Sequence, residues 1–315
     1  MGDSDCADEG LTLEELRERI SRRKLVAIAI GLVGGGSLLT GQPDEDKHLT
    51  RAEDRLAELA TRINDADVVN PQQSWRLHDD VTTAVETVNE ALRQDSSADS
   101  ETKRRIAALT AAVDYYTVLG NALGTATHLL TQLAESEFDV LNHEGALEYD
   151  PAAEFDTVAF RESIARLSKA EKEPAAVTAR DQKLVPVQHR VVDSLRSQRD
   201  VYELHITAQQ TSLDTAAAIE AGMRALEQSR FDRARSMLTK ARNSLTAGIP
   251  TTNHRYRLFA SGLSLDQYAT LLTLRREGVA KLLDGCEPSL PAQQRRFIAD
   301  EAVDHFFEAR RIVTG

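Results

Sequence analysis

Ile106-Ala-Ala-Leu109-Thr-Ala-Ala-Val113-Asp-Tyr-Tyr116-Thr-Val-Leu-Gly120-Asn-Ala-Leu123-Gly-Thr-Ala-Thr127-His-Leu-Leu130-Thr-Gln-Leu-Ala134 is the stretch from which the fold class follows. The numbered positions, continued by Leu141, recur in alternating steps of three and four, with a single interruption at Glu137. That period makes one apolar stripe along a helix, a seam for packing against other helices. Small residues at Gly120, Thr127 and Ala134 allow close approach, and Gly120 could instead mark a bend. Runs that alternate apolar with polar, the mark of strands, are nearly absent from the chain. The expectation is an all-α protein of long antiparallel or bent helices.

Working outward, the segment before this seam carries its own helix signals. Thr50 and Glu53 have capping-box spacing, and Leu56, Leu59, Ala60 and Ile63 supply an apolar face to about residue 65. Asn70-Pro71 places a capping residue before a proline at the first helical position. From there Leu77, Val81, Ala84, Val85, Val88 and Leu92 run to about residue 94, and the polar stretch Asp95 to Ser100 separates that helix from the seam.

Beyond the seam the pattern lapses between Asn142 and Asp156, a loop with Gly145 and Pro151 that suggests a boundary between two halves. A helix over 156–172 uses Phe160, Ile164 and Leu167. After Pro174 the strongest breaker in about fifty residues is Pro186, where a kink or a break is expected. The stripe here is Leu184, Val187, Val191, Leu195, Gln198, Tyr202, His205, Gln209 and Leu213. Its polar members Gln198, His205 and Gln209 could fix register, bind a ligand or line a less buried stretch, and the last is the expectation.

Residues Leu25 to Leu39 form the longest uninterrupted apolar run, with Arg22, Arg23 and Lys24 before it and Asp44, Glu45 and Asp46 after it. As a helix the run rises about 22 Å against a hydrocarbon layer of roughly 30 Å, short but workable with its flanks. Cations stay on the cytoplasmic side of a first apolar segment, so the body that follows is expected outside. Ser21-Arg22-Arg23-Lys24-Leu25-Val26 resembles the twin-arginine export signal. Leu39-Thr40-Gly41-Gln42 resembles a lipoprotein processing box, with Gln42 where that family requires a cysteine, so no thioether lipid can form there. An uncleaved signal anchor is the reading adopted, with a cleaved and secreted form as the alternative. Ala27, Gly31 and Gly35 repeat every four residues on one face, a spacing that permits a membrane-helix homodimer.

Charge is uneven along the 315 residues. The chain holds 50 acidic and 38 basic side chains, a net of −12, and 30 of the basic ones are arginine. An acidic, lysine-poor chain with 5% aromatics resembles the proteins of extreme halophiles, whose carboxylates hold water and cations at the surface. Residues 216–315 go the other way, with 15 basic against 11 acidic groups. Nucleic acid is not implied, because the protein is acidic and its basic pairs are not interleaved with stacking aromatics.

In that basic third, Ala221-Gly222, Ala225, Phe231, Ala234, Leu238 and Ala241 resemble the small and aromatic positions of one tetratricopeptide repeat, over about 216–245. The resemblance implies two antiparallel helices turning at Ser229 to Asp232, with Gly222 leaving room for the second helix, and a protein-interaction surface. Ala302, Phe306 and Ala309 echo the second helix alone. A degenerate array and an isolated helical hairpin both fit. Arg224, Arg233, Arg235 and Arg242 make the candidate basic interaction surface, for an acidic partner or for the protein's own acidic part.

Chemistry is harder to find. There is no HExxH, CxxC, GxSxG or phosphate loop, and no catalytic, cofactor or metal residue is assigned. Glu135, Asp139 and His143 share a four-residue step, as do Glu301 and His305, a spacing common in acidic helices. Cys6 and Cys286 would lie in different compartments and are not expected to pair. The expected organisation is a cytoplasmic tail (1–23), an anchor (24–41), a linker (42–47) and two helical parts (48–145 and 155–315). The expected function is a membrane-anchored, non-enzymatic interaction or scaffolding module with an unknown protein partner, the alternative being an exported enzyme or solute-binding protein.

Overall fold

The computed structural model describes residues 45–66, 71–94, 99–142, 155–186, 190–251, 257–259 and 262–314. Among these the chain forms nine α-helices and no strand: α1 (Glu45–Asp65), α2 (Pro71–Gln94), α3 (Ser100–Asn142), α4 (Thr157–Ala170), α5 (Pro174–Asp181), α6 (Arg190–Glu227), α7 (Phe231–Gly248), α8 (Leu265–Asp284) and α9 (Ala292–Thr314). The all-α reading is therefore correct. The apolar run 25–39, its packing face at Ala27, Gly31 and Gly35, and the loop around Gly145 lie outside the described residues.

The helix ends follow local chemistry. Asp99 caps α3, its Oδ1 accepting the N–H groups of Glu101 and Thr102 at 2.9 and 3.0 Å, and Asp156 caps α4 through the Ala159 N–H at 3.2 Å. Ser264 and Gln267 form a reciprocal capping box on α8. Proline opens α2 and α5, where its missing N–H has no helical partner to lose. Two helices end on a left-handed residue: Lys183 (φ 61°) follows α5 and Ser229 (φ 56°) follows α6. In each the next N–H reaches back five residues, Leu184 to the Ala179 carbonyl and Arg230 to the Ala225 carbonyl. The break expected near Pro186 falls between Asp181 and Arg190.

The chain divides into two compact units. One gathers the described residues of Glu14–Thr131 with Asp156–Val201, and the other those of Gln132–Phe155 with Tyr202–Gly315. Helices α3 and α6 each contribute to both. In the first unit α1 packs on α2, and Leu56, Leu109, Leu119, Phe160 and Leu195 are wholly buried. The Arg105 guanidinium makes two bonds of 2.9 Å to the Glu53 carboxylate, and the Tyr116 hydroxyl donates to the Leu56 carbonyl. A Cβ on Gly120 would lie 3.3 Å from Val81, so this small position does admit a close neighbour.

The second unit, called here the C-terminal unit, stacks α7 on α8 and α8 on α9. Its core includes Leu213, Leu238, Leu245, Tyr268, Leu271, Leu272 and Val279. Ser100–Glu137 is the one stretch among the described residues long and apolar enough to cross a membrane, and half of its apolar window is buried inside the protein. We read it as the core seam, because its stripe residues Leu109, Tyr116, Leu123 and Leu130 face protein.

Candidate functional site

The C-terminal unit presents two features that invite a functional reading, one buried and one exposed. The buried one is the interruption in the α3 stripe. Glu137 is 1% exposed, and its carboxylate collects three donors from distant parts of the chain. The Leu263 N–H donates to Oε1 at 2.6 Å, the Tyr268 hydroxyl to Oε2 at 2.7 Å, and the Gln209 amide to Oε2 at 2.5 Å. The same Gln209 amide donates to the Leu133 carbonyl at 3.3 Å.

Burial makes the charged form of Glu137 costly and raises its pKa, and the three donors, Leu263 first, pull the other way. The same burial, with the neighbouring carboxylate, lifts the Tyr268 phenol well above its ordinary value, so it stays a donor. His205 stands edge-on to the Tyr268 ring, with centroids 5.9 Å apart and planes at 88°. Neither of its nitrogens has a hydrogen-bond partner among the described residues, and burial pushes its pKa down to about 3. It is therefore a neutral imidazole at neutral pH. Arg275, half-buried, donates to the Ser212 carbonyl and hydroxyl at 2.8 Å, and burial lowers its pKa to about 10.

The expectation that Gln198, His205 and Gln209 line a less buried stretch is wrong, for all three are 0% exposed. Gln209 is retained in the core because Glu137 and Leu133 take its amide hydrogens. The arrangement does structural work. It ties α3, α6, α8 and the return segment before α8 through one carboxylate whose oxygens are occupied by donors.

The exposed feature is α9. Its inner side seats Ala302 and Ala309, both at most 1% exposed. The ring of Phe306 lies where a Cβ on Gly278 of α8 would come within 2.8 Å, so the glycine lets the helices close together. A Lys281–Glu301 bond of 2.8 Å ties the two helices. The outer side leaves Phe297, Val303 and Phe307 at 65%, 44% and 57% exposure, within an arc of about 120° at 3.6 residues per turn. A groove of about 410 Å³ opens where the end of α6, the end of α8 and the start of α9 meet. Its apolar lining includes Met223, Leu226, Leu282 and Ile298, and its charged lining Arg295, Arg296 and Glu227. Arg295 lies 4.2 Å over the Phe231 ring and donates to the Pro288 carbonyl at 2.7 Å. Arg296 is exposed.

The four arginines singled out in the sequence do not share one face. Arg224 is exposed at the end of α6 and pairs with Glu220. Arg235 reaches the Cys286 carbonyl at 3.4 Å and Glu287 at 3.7 Å. Arg242, seven residues on and exposed, lies on the same side of α7, whereas Arg233, two residues before Arg235, points about 200° away. Gly222 does face the second helix: a Cβ there would sit 2.6 Å from Leu238. Cys286 is a buried free thiol. Glu301 is held by Lys281, and His305 lies 3.7 Å from Glu277. Glu135 is exposed, and no group of three or more metal-ligand side chains occurs among the described residues.

Sequence reasoning passed over Glu137 and the outer side of α9. The signals were there: an acid inside an apolar stripe whose packing partner carries two amides and an imidazole, and a terminal helix with aromatics at Phe297, Phe306 and Phe307 that cannot all face one core.

Proposed function

We propose that the protein, which no family model, curated protein or solved structure matches, is an interaction module, held at a membrane by its N-terminal apolar segment with its helical body on the extracytoplasmic side. The observation that carries the interaction reading is the outer side of α9. Five large apolar side chains are exposed among the described residues, and three of them, Phe297, Val303 and Phe307, sit on this one helix. Clustered exposed aromatics mark contact surfaces, since each leaves apolar area in water that a partner would remove. Beneath them α9 packs on α8 and α8 on α7, and the sequence resemblance of 216–245 to a tetratricopeptide hairpin would point the same way. The membrane placement rests on the cation–apolar–anion order of residues 22–46.

Photo-crosslinking in membranes tests this reading. A photoreactive residue at 297 or 307 of the full chain should give discrete adducts, and one at Val177, exposed but outside the C-terminal unit, should not. Equal adducts at all three positions, or none at 297 and 307, would refute it.

A further inference from the structure

The groove at the start of α9 is lined by Arg295, Arg296 and Ile298 of that helix and not by Phe297 or Phe307. We infer that it receives an acidic amphipathic helix from a partner protein, an inference that rests on the interaction reading above but names the chemistry of what is bound.

Shape and charge carry the inference together. The floor is apolar, formed by Met223 and Leu226 of α6, Leu282 of α8 and Ile298 of α9, and its volume of about 410 Å³ suits a few large side chains. Residues of three helices line it, and an apolar groove between helices is a usual seat for the apolar side of another helix. The rim is cationic. Arg295 is clamped by Phe231 and Pro288, which costs a bound state little ordering entropy. Arg296, also on the groove lining, is exposed. Among the described residues that line the groove, Glu227 is the one carboxylate. Such a rim attracts acidic flanks and repels basic ones, which discriminates between partners more than it adds raw affinity.

The probe is a labelled helical peptide of about 18 residues, leucine on one side and glutamate on the other, with a lysine-for-glutamate twin as its comparison. Anisotropy titration of the purified full chain should show the acidic peptide binding roughly tenfold or more tightly than the lysine peptide. Arg296→Glu, an exposed substitution that leaves the core intact, should erase that preference, and Met223→Asp should weaken both peptides. Equal affinity for the two peptides, no binding of the acidic one, or acidic binding unchanged in Arg296→Glu would overturn the inference. Phe297→Ser with Phe307→Ser separates the two surfaces. It should leave the acidic peptide bound, and loss of binding there would move the site to the outer side of α9, overturning the groove while sparing the interaction reading.

Discussion

Glu137 Oε1 accepts the backbone N–H of Leu263 at 2.6 Å, joining positions 126 residues apart. That bond, with those from Tyr268 and Gln209, places one carboxylate at the junction of three helices and the segment leading into α8. Removing the carboxylate strands three buried donors at once. Glu137→Ala should lower unfolding free energy by about 3–5 kcal/mol, as expected when one side of a buried charged network is deleted. Tyr268→Phe removes one donor and should cost only about 1–2 kcal/mol. Urea unfolding checks both, and a loss below 1 kcal/mol for Glu137→Ala would contradict the network.

Protonation of the core acts in two opposite directions. Burial raises the Glu137 pKa, so its contribution to stability is full below the ordinary carboxylate range and declines as pH rises through the raised value. His205 does the reverse. Its pKa is depressed to about 3 from 6.5, so its contribution is full above 6.5 and is lost as pH falls toward 3. Within that window it adds a slope of up to roughly 1.4 kcal/mol per pH unit. His205→Phe keeps the edge contact with Tyr268 and removes the titration, so its stability should fall less steeply than wild type between pH 6 and 4. Parallel curves would show that the imidazole is not a buried neutral base.

Close approach in the α6–α7 hairpin depends on Gly222. A methyl group there would meet Leu238 at 2.6 Å, and Leu238 is wholly buried. Gly222→Ala should cost about 1–3 kcal/mol, and adding Leu238→Ala should produce a double variant more stable than the sum of the single losses. Strict additivity in thermal melts would mean that the two residues are not in contact.

The start of α8 carries a smaller test. Ser264 Oγ accepts the Gln267 N–H at 3.2 Å, and Gln267 Oε1 accepts the Ser264 N–H at 2.9 Å. Ser264→Ala should cost about 1 kcal/mol, and Ser264→Asp should restore much of it. Equal losses for both substitutions would show that the side-chain cap is not what matters.

How far the sequence is readable depends on whether a residue's role is local. Pro71, the Phe160–Ile164–Leu167 stripe and the break near Pro186 are local signals, and the helices they imply form within a few residues of the expected ends. Glu137 is different. In its own helix it reads as a fault in the stripe, because the partners that make its burial tolerable lie 72, 126 and 131 positions later. Gln209 and His205 mislead for the same reason, since period alone cannot show whether a polar side chain meets water or another polar group. The four arginines read as one basic patch because they are close in sequence, yet helical rotation turns Arg233 away from Arg235 and Arg242.

The interaction claim is tested most directly by oxidative footprinting of the full chain in its native membrane and after purification. Phe297 and Phe307 should be labelled several-fold less in the membrane than in the purified protein, while exposed residues elsewhere, such as Val177, keep the same labelling. Equal labelling of Phe297 and Phe307 in both states would show that nothing covers α9 and would contradict the account.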